Sequence, residues 1–530
     1  MKRGYLILIS LGVTLAHSVA QPVAIDSLDI HGVRALLHAD GYMFWDPASS
    51  FPRFEAPAGS GMHSFYAGQL WLTAVDTAGQ LRVMGPTFGQ TGRDMWAGPV
   101  ASNYQSPAYS NRYNRVWKVN KSVVDAHILL WNTPGYPVPP ELADWPAHGD
   151  TTNGEAYFLA PFVDVDQNQK YEPQLGDYPE IKGDQALFFI TNDLKQLHTE
   201  SGGQPLGVEI HGMLYGYGDP ADSALWNTVF LSYRVINRTV LDYPELNVGF
   251  FGDFDIGFAA DDYAGCDLSL NMAFAYNSDS SDLQYGNHPP AQGILWLSDG
   301  LAGFHIFKND FSDLGNPEFA QHYHGYLNGF WKNGAALTVG GNGNQGTTVT
   351  RFMYPGDPVT GTGWTMNQSG FLTGTDVRSV TILKDQTLNA NGVTCLDLAF
   401  PFAQDSNGSH ITAITKLRQY AGQVSQFYNG QQVICQPLPV LTTSINASNP
   451  AGSLIVKTLP EGLEITWPDF PAKLSEVEVF DLQGRSVRKQ AVENTDRFFI
   501  ESGAFPAGMY LIRVRNHQAS LQQKIMVGER

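Results

Sequence analysis

Basic side chains are few in this sequence. Lys and Arg total 32 against 51 Asp and Glu, a formal net charge of −19. The deficit is uneven. Residues 451–530 hold ten of each sign, and Lys2 and Arg3 stand at the start, so residues 21–450 carry 20 basic against 41 acidic side chains. Such a surface repels phosphate backbones, which argues against nucleic acid as a partner and suits divalent cations. Cysteine is scarcer still: Cys266, Cys395 and Cys435. None forms a C-x-x-C pair, so zinc and dithiol redox motifs are disfavoured. An odd count permits one disulfide and one spare thiol. Cys395 with Cys435 is the expected bridge, because Cys266 sits in an acidic stretch, but the sequence alone leaves the pairing open. Past the first twenty residues no apolar run is long enough to cross a bilayer. The stretch 340–348, GGNGNQGTT, has no Gly-Lys-Ser/Thr and reads as a turn rather than a phosphate loop. His322-x-His324 lacks a third ligand in sequence. His148 or His211 would have to join it through folding, so catalytic zinc is disfavoured.

What is abundant points to strands. There are 54 glycines in 530 residues, above the usual share of about 7%, and Tyr, Trp and Phe are plentiful. Turn residues recur every ten or so positions, which favours strands joined by turns over helix bundles. The expected fold class is mainly β: a large antiparallel β-sandwich-like body with one or two packed helices, then a small C-terminal immunoglobulin-like β-sandwich. The length allows two to four domains.

The two ends are addresses. Residues 1–20, MKRGYLILISLGVTLAHSVA, have a basic start, an apolar run and a small-x-small site at 18–20, the pattern of a secretory signal peptide. The run is short for a membrane anchor. Gln21 rather than Cys follows the cut, so a lipoprotein anchor is not supported. From residue 453 on, seven short alternating runs (SLIVKT, GLEIT, EVEVFD, SVRKQ, RFFIE, MYLIRV, LQQKIMV) predict a small sandwich. Asn449-Pro450, VEVFDLQGR at 477–485, FPAGMYLIRV at 505–514 and KIMV at 524–527 resemble the type A C-terminal sorting domain of the type IX secretion system of Bacteroidetes. That family usually opens on Pro-Asn-Pro, where this chain has Ser448-Asn449-Pro450. The resemblance implies transport through the outer membrane by the type IX machinery, removal of this domain, and release or attachment to surface glycolipid. The domains expected are a signal peptide at 1–20, a secreted body at 21–440, a linker at 441–450 and the sorting domain at 451–530.

Within the body, residues 69–75 and 81–84 alternate around a turn and predict a hairpin. SVVDAHILLW at 122–131 predicts a short helix capped by Ser122. The Pro-rich residues 133–144 predict an extended loop. Residues 227–236 predict a long, central strand. Ile411, Ile414, Leu417, Ala421, Val424 and Phe427 fall at helical spacing and predict a helix of about sixteen residues against a sheet, ended by Gly430. Residues 21–193 and 194–440 read either as two lobes or as one domain of interleaved strands. No linker divides them, which favours interleaving.

The densest chemistry lies at 161–193. Asp164, Asp166 and Asn168 stand at positions 1, 3 and 5 of a calcium-loop pattern, with the Lys170 carbonyl at position 7. The pattern departs from an EF-hand: Gln169 replaces the turn glycine and Leu175 stands at position 12. Asp177, two places on, is the candidate for the missing carboxylate. The competing reading is a solvated Asx-turn loop. A second acidic stretch holds Asp253, Asp255, Asp261, Asp262 and Asp267 with no Lys or Arg between them. These repel one another unless a cation or a basic partner sits among them. A second Ca2+ site is expected there, against the reading that they point to solvent on separate turns.

Asp46, FEAPAGSGMHSFYAGQLWL, GPTFGQTGRDMWAGP, DWPAHG, APFVDVDQNQKYEPQLGDYPEIKGDQALFF, FGDFDIGFAADDYAGCD, YPGDP and LRQYAGQVSQFY together make the body similar to a group of large secreted Bacteroidetes proteins that carry type IX sorting domains. The resemblance brings no assigned activity with it. The leading expectation is a non-enzymatic structural or ligand-binding protein, secreted or on the outer cell surface, whose acidic loops are pinned by calcium. A glycan-active hydrolase using Asp253, Asp255 and Asp177, and a glycan-binding adhesin, are the alternatives.

Overall fold

The computed structural model describes residues 22–431, apart from 31, 90–91, 370–375 and 384, together with the strands of a C-terminal segment between 455 and 527. The leader 1–20 and the linker 441–450 lie outside the described residues. The chain divides into two compact units, Met1–Pro439 and Val440–Arg530.

The first unit stacks two antiparallel nine-stranded sheets. Sheet one runs Ile25–Leu28, Arg34–His38, Phe54–Glu55, His63–Val75, Tyr243–Phe254, Val377–Leu383, Leu301–Lys308. Leu81–Met84 is added to His63–Val75, and Gln386–Leu388 to Tyr243–Phe254. Sheet two runs Asp262–Asp267, Met272–Asn277, Ala291–Trp296, Val393–Ala403, Thr228–Asn237, Val208–Gly216, Gln185–Asn192, Trp96–Ala97, with Trp117–Asn120 also on Gln185–Asn192. Strands from before and after residue 193 share both sheets. The hairpin expected at 69–75 and 81–84 is present with Val75 opposite Leu81, and its first strand starts earlier, at His63. Thr228–Asn237 is central, between Val208–Gly216 and Val393–Ala403.

Side-chain alternation divides each strand between two buried faces. In His63–Val75, Leu70 lies opposite Phe250 and Trp71 opposite Gly249. The faces turned toward each other hold an aromatic cluster in which Phe400 of sheet two meets Phe44, Phe65 and Phe250 at centroid distances of 5.2, 5.9 and 5.1 Å. On the other face of sheet one, Trp71 stacks on Phe251 at 5.4 Å and meets Tyr323 edge-on at 4.8 Å. Tyr323 belongs to the helix Ala320–Leu327. Gly249 is required there, since a Cβ would lie 2.4 Å from Leu327 Cδ2. The outer face of sheet two, with Phe188, Tyr215, Phe230 and Phe274, packs under the helix His410–Asn429. That helix buries Ile414, Leu417, Ala421 and Val424 of the predicted stripe, with Ala413 and Tyr420 added, while Ile411 and Phe427 at its ends are half-buried. It begins in a capping box between Ser409 and Thr412 and is followed by Gly430.

Local readings needed two corrections. The helix expected at 122–131 spans Lys121–Leu130 with Asn120 at its N-cap position, so Ser122 lies within its first turn and caps nothing. The stretch 133–144 is not wholly extended: Pro140–Ala143 forms a helical turn, in keeping with the preference of proline for the first helical position. The stretch 161–193 begins in the short strand Phe162–Val163. Cys266 is a free, buried thiol and Cys395 is disulfide-bonded. Cys435, its expected partner, lies outside the described residues.

The second unit has seven strands, as its alternating runs predict. Three form one sheet (Ile455–Leu459, Gly462–Thr466, Arg497–Glu501) and four another (Ser486–Glu493, Leu474–Phe480, Gly508–Arg515, Ser520–Val527). Ile465, Val477, Val479, Ile500, Ile512 and Val514 form its core.

Two predictions follow from this packing. Phe400→Ala removes the ring shared by both sheets and is expected to destabilise the body by roughly 3–5 kcal/mol. Leu129→Ala, at a residue 77% exposed, stays within about 0.5 kcal/mol. Urea unfolding measures both. The second concerns acid. Buried Glu209 accepts hydrogen bonds from Val100 N, His211 Nε2 and Arg238 Nη2 at 2.8, 2.8 and 2.6 Å. Burial pushes its carboxyl up, but His211 and the Arg238 guanidinium outweigh that and hold it at about 2. A depressed carboxyl stabilises the fold above its ordinary value near 4.5 and loses that contribution as pH falls toward about 2. The loss is on the order of 3 kcal/mol. Glu209→Gln is therefore expected to show a shallower fall in stability across that window, and equal slopes would count against the assignment.

Candidate functional site

The loop 164–177 is closed at its neck by a two-residue ladder in which Phe162 pairs with Pro179 and Val163 with Tyr178. Inside it the carboxylates organise the backbone. Asp164 accepts from Asn168 N at 3.1 Å and from Gln169 N at 2.6 Å. Asp166 Oδ1 accepts from Asn168 N at 3.2 Å. Asp177, 1% exposed, accepts from Val165 N at 2.9 Å and from Glu172 N at 2.8 Å. Gln167 and Gln169 take left-handed conformations, with φ of 59° and 66°, a conformation that favours glycine. Gln169 thus adopts the bend that glycine gives in an EF-hand, held by Asp164 on its N–H and by the Tyr157 hydroxyl, 3.1 Å from its carbonyl.

These turns bring one oxygen each of Asp164, Asp166 and Asp177 within 4.8 Å of one another, the one such group of three His, Cys or acidic ligand atoms among the described residues. No ion pair to these three carboxylates occurs among the described residues. Asn168 lies beside them: its Nδ2 donates to Asp166 Oδ2 and to Glu172 Oε2, both at 2.8 Å, and its Oδ1 accepts from Lys170 N at 2.8 Å. The Lys170 ammonium is a cation with no lone pair, so only its carbonyl is suited to a ligand role. Glu172 is a residue that the sequence reading missed. It stands at position 9 of the same loop pattern, a regular ligand position, so the signal was present.

The loop rests on a fixed support. His127 Nε2 lies 3.1 Å from the Asp177 carbonyl. Tyr171 donates its N–H to His148 Nε2 at 2.9 Å and its hydroxyl to the Leu142 carbonyl at 2.7 Å. Gly176, at φ 108°, lies against the Trp131 ring, where a Cβ would come within 2.9 Å. Partners behind the ligands orient them and lower the cost of gathering charge.

The second acidic stretch separates into distinct environments. Asp253 lies 3.4 Å from Arg378 Nε, and Asp267 lies 3.0 Å from Arg418 Nε, while Arg418 Nη1 holds Asp357 at 2.9 Å. The basic partners absent between 253 and 267 arrive from the strand Val377–Leu383 and the helix His410–Asn429. Asp261 and Asp262 have no ion-pair partner among the described residues, and Asp255 faces His63 Nε2 at 4.0 Å. Burial, then the nearby Asp376, pushes the Asp255 carboxyl up to about 8. Burial, then Asp282, pushes Asp261 up to about 6, and burial also raises Asp262. Asp253 is raised as well, by burial and Asp376, with Arg378 opposing.

The remaining candidates do not assemble. His322 and His324 are two positions apart on the helix Ala320–Leu327 and so face away from each other. His324 Nδ1 is 2.9 Å from Thr73 Oγ1, and His322 Nδ1 accepts from Glu318 N at 3.2 Å. Cavities of about 260, 560 and 780 Å³ are lined around Glu155, around His324 and around Arg418, and none of the three includes Asp177, Asp253 or Asp255.

The two Asp177 contacts yield a prediction independent of any ion. In chelator, Asp177→Ala leaves the N–H groups of Val165 and Glu172 without their acceptor and is expected to cost roughly 2–4 kcal/mol. Asp166→Ala, at an exposed position, is expected to stay within about 0.5 kcal/mol under the same conditions. Equal effects in urea unfolding would contradict the roles assigned to the two residues.

Comparison with known proteins bears on one end of the chain. No curated protein matches it. Among solved structures it aligns with a polysaccharide lyase at 10% identity, over 61% of this chain and 34% of that one, with a TM-score of 0.19. It aligns with the BSP domain of a biofilm associated protein at 11% identity, over 96% and 81%, with a TM-score of 0.14. The chain thus spans about a third of the lyase's length, and both likenesses are too distant to bear on fold or activity. Residues 460–528 match the family model of the secretion system C-terminal sorting domain. Its two small sheets therefore form a sorting domain, and the chain that carries it is a protein of the type IX export route, destined for secretion with release or attachment at the cell surface.

Proposed function

We propose that the exported body is a non-enzymatic structural or ligand-binding module whose loop 164–177 binds a calcium ion. The observation that carries this reading is the gathering of Asp164, Asp166 and Asp177 within 4.8 Å on a loop already fixed from behind. Hard oxygen donors in this number suit Ca2+ rather than zinc or copper, which favour nitrogen and sulfur. Asn168, the Lys170 carbonyl and Glu172 supply further oxygens to a shell of six to eight. The ion would neutralise carboxylates that no basic side chain reaches and would tie the two ends of the loop to its middle. Sites of this kind in extracellular modules work at about 10⁻⁴–10⁻³ M calcium.

The hydrolase reading gains no support from the geometry. Asp253 is buried against Arg378, and Asp177 engages two backbone N–H groups inside the loop. Glycan binding without turnover has one observation in its favour. The cavity of about 560 Å³ is rimmed by the half-exposed ring of Phe330 with His322, His324 and Asn328 beside it, a mixture that suits a sugar ring. A glycan array with Phe330→Ala as control tests it, and unaltered binding by that variant removes the cavity from consideration.

Calcium is tested by thermal unfolding of the full chain after chelation and again with added calcium. A ligand present at 100 times its dissociation constant stabilises by about 2.7 kcal/mol, so a clear rise in Tm is expected. Asp166→Asn is expected to lose most of the contribution from this loop. Identical melting in EDTA and in calcium would end the reading.

A further inference from the structure

We infer that the loop 194–207 is a pH-sensitive latch between the two sheets of the body, closed by a doubly protonated His198 and released as pH rises. The loop leaves sheet two after the strand Gln185–Asn192 and rejoins it at Val208. Between these points it lies against sheet one. Val83 N, on the strand Leu81–Met84, donates to the Gln204 carbonyl at 2.9 Å, and Arg82 Nη1 donates to the Pro205 carbonyl at 2.8 Å. Thr199 N donates to the Arg93 carbonyl at 3.0 Å.

His198 stands among these contacts with its side chain wholly buried. Its Nδ1 is 2.7 Å from the Val83 carbonyl, in sheet one. Its Nε2 is 2.8 Å from the Asp193 carbonyl, just past a strand of sheet two. A carbonyl oxygen only accepts, so both contacts are hydrogen bonds only when both ring nitrogens carry hydrogen. A neutral ring would turn a lone pair toward one of the two carbonyls. The ring is thus an imidazolium that bridges the sheets.

The surrounding charges fit that state. Two carboxylates face the ring: Asp94 Oδ2 lies 3.7 Å from Nδ1, and Asp193 Oδ2 lies 3.9 Å from Nε2. Backbone N–H groups favour the ionised form of each. Asp94 takes those of Gly85, Glu200 and Ser201, and Asp193 those of Leu206, Gly207 and Val208. The basic side chains of the adjoining segments are engaged elsewhere, Arg82 with Asp76 at 2.8 Å and Arg93 with Asp40 at 2.7 Å. Loss of the His198 proton would therefore leave two buried anions without their cation, which is costly. Two carboxyls titrate in the same direction. Burial pushes Asp193 up to about 6, with His198 and its three N–H groups opposing. Burial, with Asp94, pushes Glu200 up to about 7, against its hydrogen bonds from the Thr87 N–H and hydroxyl. A raised carboxyl contributes stability below its ordinary value, and that contribution is lost as pH rises through about 6 and about 7.

Two measurements on the full chain test the latch. Ring-nitrogen NMR of histidine-labelled protein is expected to show His198, identified by its loss in His198→Gln, protonated on both nitrogens at neutral pH. Trypsin reads the loop itself. Lys195 is half-buried, its ammonium 5.6 Å from the Tyr109 ring centroid, so cleavage after it needs an open loop. That cleavage is followed by mass spectrometry and corrected for trypsin activity on a small peptide at the same pH. It is expected to rise by roughly tenfold per pH unit once His198 has lost its proton. His198→Gln should be cut rapidly at neutral pH with no such rise, and Glu200→Gln should keep the rise. A neutral His198 ring at neutral pH overturns the latch. So does cleavage that ignores pH, or a rise that survives in His198→Gln or is lost in Glu200→Gln. If His198→Gln fails to fold by circular dichroism, the Glu200→Gln chain decides. A rise that coincides with titration of a doubly protonated histidine supports the latch, and one that does not overturns it.

Discussion

The structure of the body depends on how it satisfies an excess of negative oxygen. With twice as many acidic as basic side chains between residues 21 and 450, ion pairing cannot serve them all, and burying an unpaired carboxylate is costly. The chain's main answer is to use carboxylates as acceptors for loop backbone. Asp193 takes the N–H groups of Leu206, Gly207 and Val208 at 2.6, 2.9 and 2.8 Å. Asp94 takes those of Gly85, Glu200 and Ser201. Asp177 and Asp282 do the same in their own loops. Long connections between sheet strands leave many N–H groups without a ladder partner. An acidic composition therefore goes with long, ordered loops, since each buried Asp fixes two or three such groups.

The few basic groups are placed where backbone cannot serve. Arg378 stands over the Phe88 ring, 4.5 Å from its centroid, while facing Asp253. Arg418 joins Asp267 to Asp357 and so ties the long helix to two loops of the body. Glu209, 109 residues from the N–H of Val100, is shared between that group, His211 and Arg238. After backbone and arginine have been assigned, the buried carboxylate oxygens left without a hydrogen bond among the described residues are on Asp40, Asp255, Asp261, Asp262 and Asp376.

That division explains what the sequence made legible. Period-two alternation in 69–75 and the seven runs of the tail reports on local geometry, and those strands are where expected. So is the helix His410–Asn429, whose apolar stripe and Ser409 cap are both local signals. The calcium-loop spacing of Asp164, Asp166 and Asn168 is local too, and Glu172 was overlooked at a position the same spacing names. What stayed hidden was long-range. Nothing near Asp253 announces Arg378, and nothing near Asp267 announces Arg418. Asp282 meets the N–H of Phe258 only because two strands of sheet two return beside it. The misplaced cap at Ser122 has the other cause: Asn120 ends a strand paired with Gln185, and that tertiary pairing fixed the helix start one residue early.

The same arrangement separates scaffolding from catalysis. A carboxylate that works as acid, base or nucleophile needs a lone pair free to meet substrate and a face open to it. In this body Asp193 and Asp282 engage backbone N–H groups on both oxygens, and so does Asp177, deep in its loop. Asp253 is closed off with Arg378. Even the unengaged oxygens of Asp255, Asp261 and Asp262 are buried in the crossover between the sheets rather than in a cleft. Oxygens so placed serve the body's own loops: the carboxylates of Asp177, Asp193 and Asp282 each fix backbone that no strand ladder reaches.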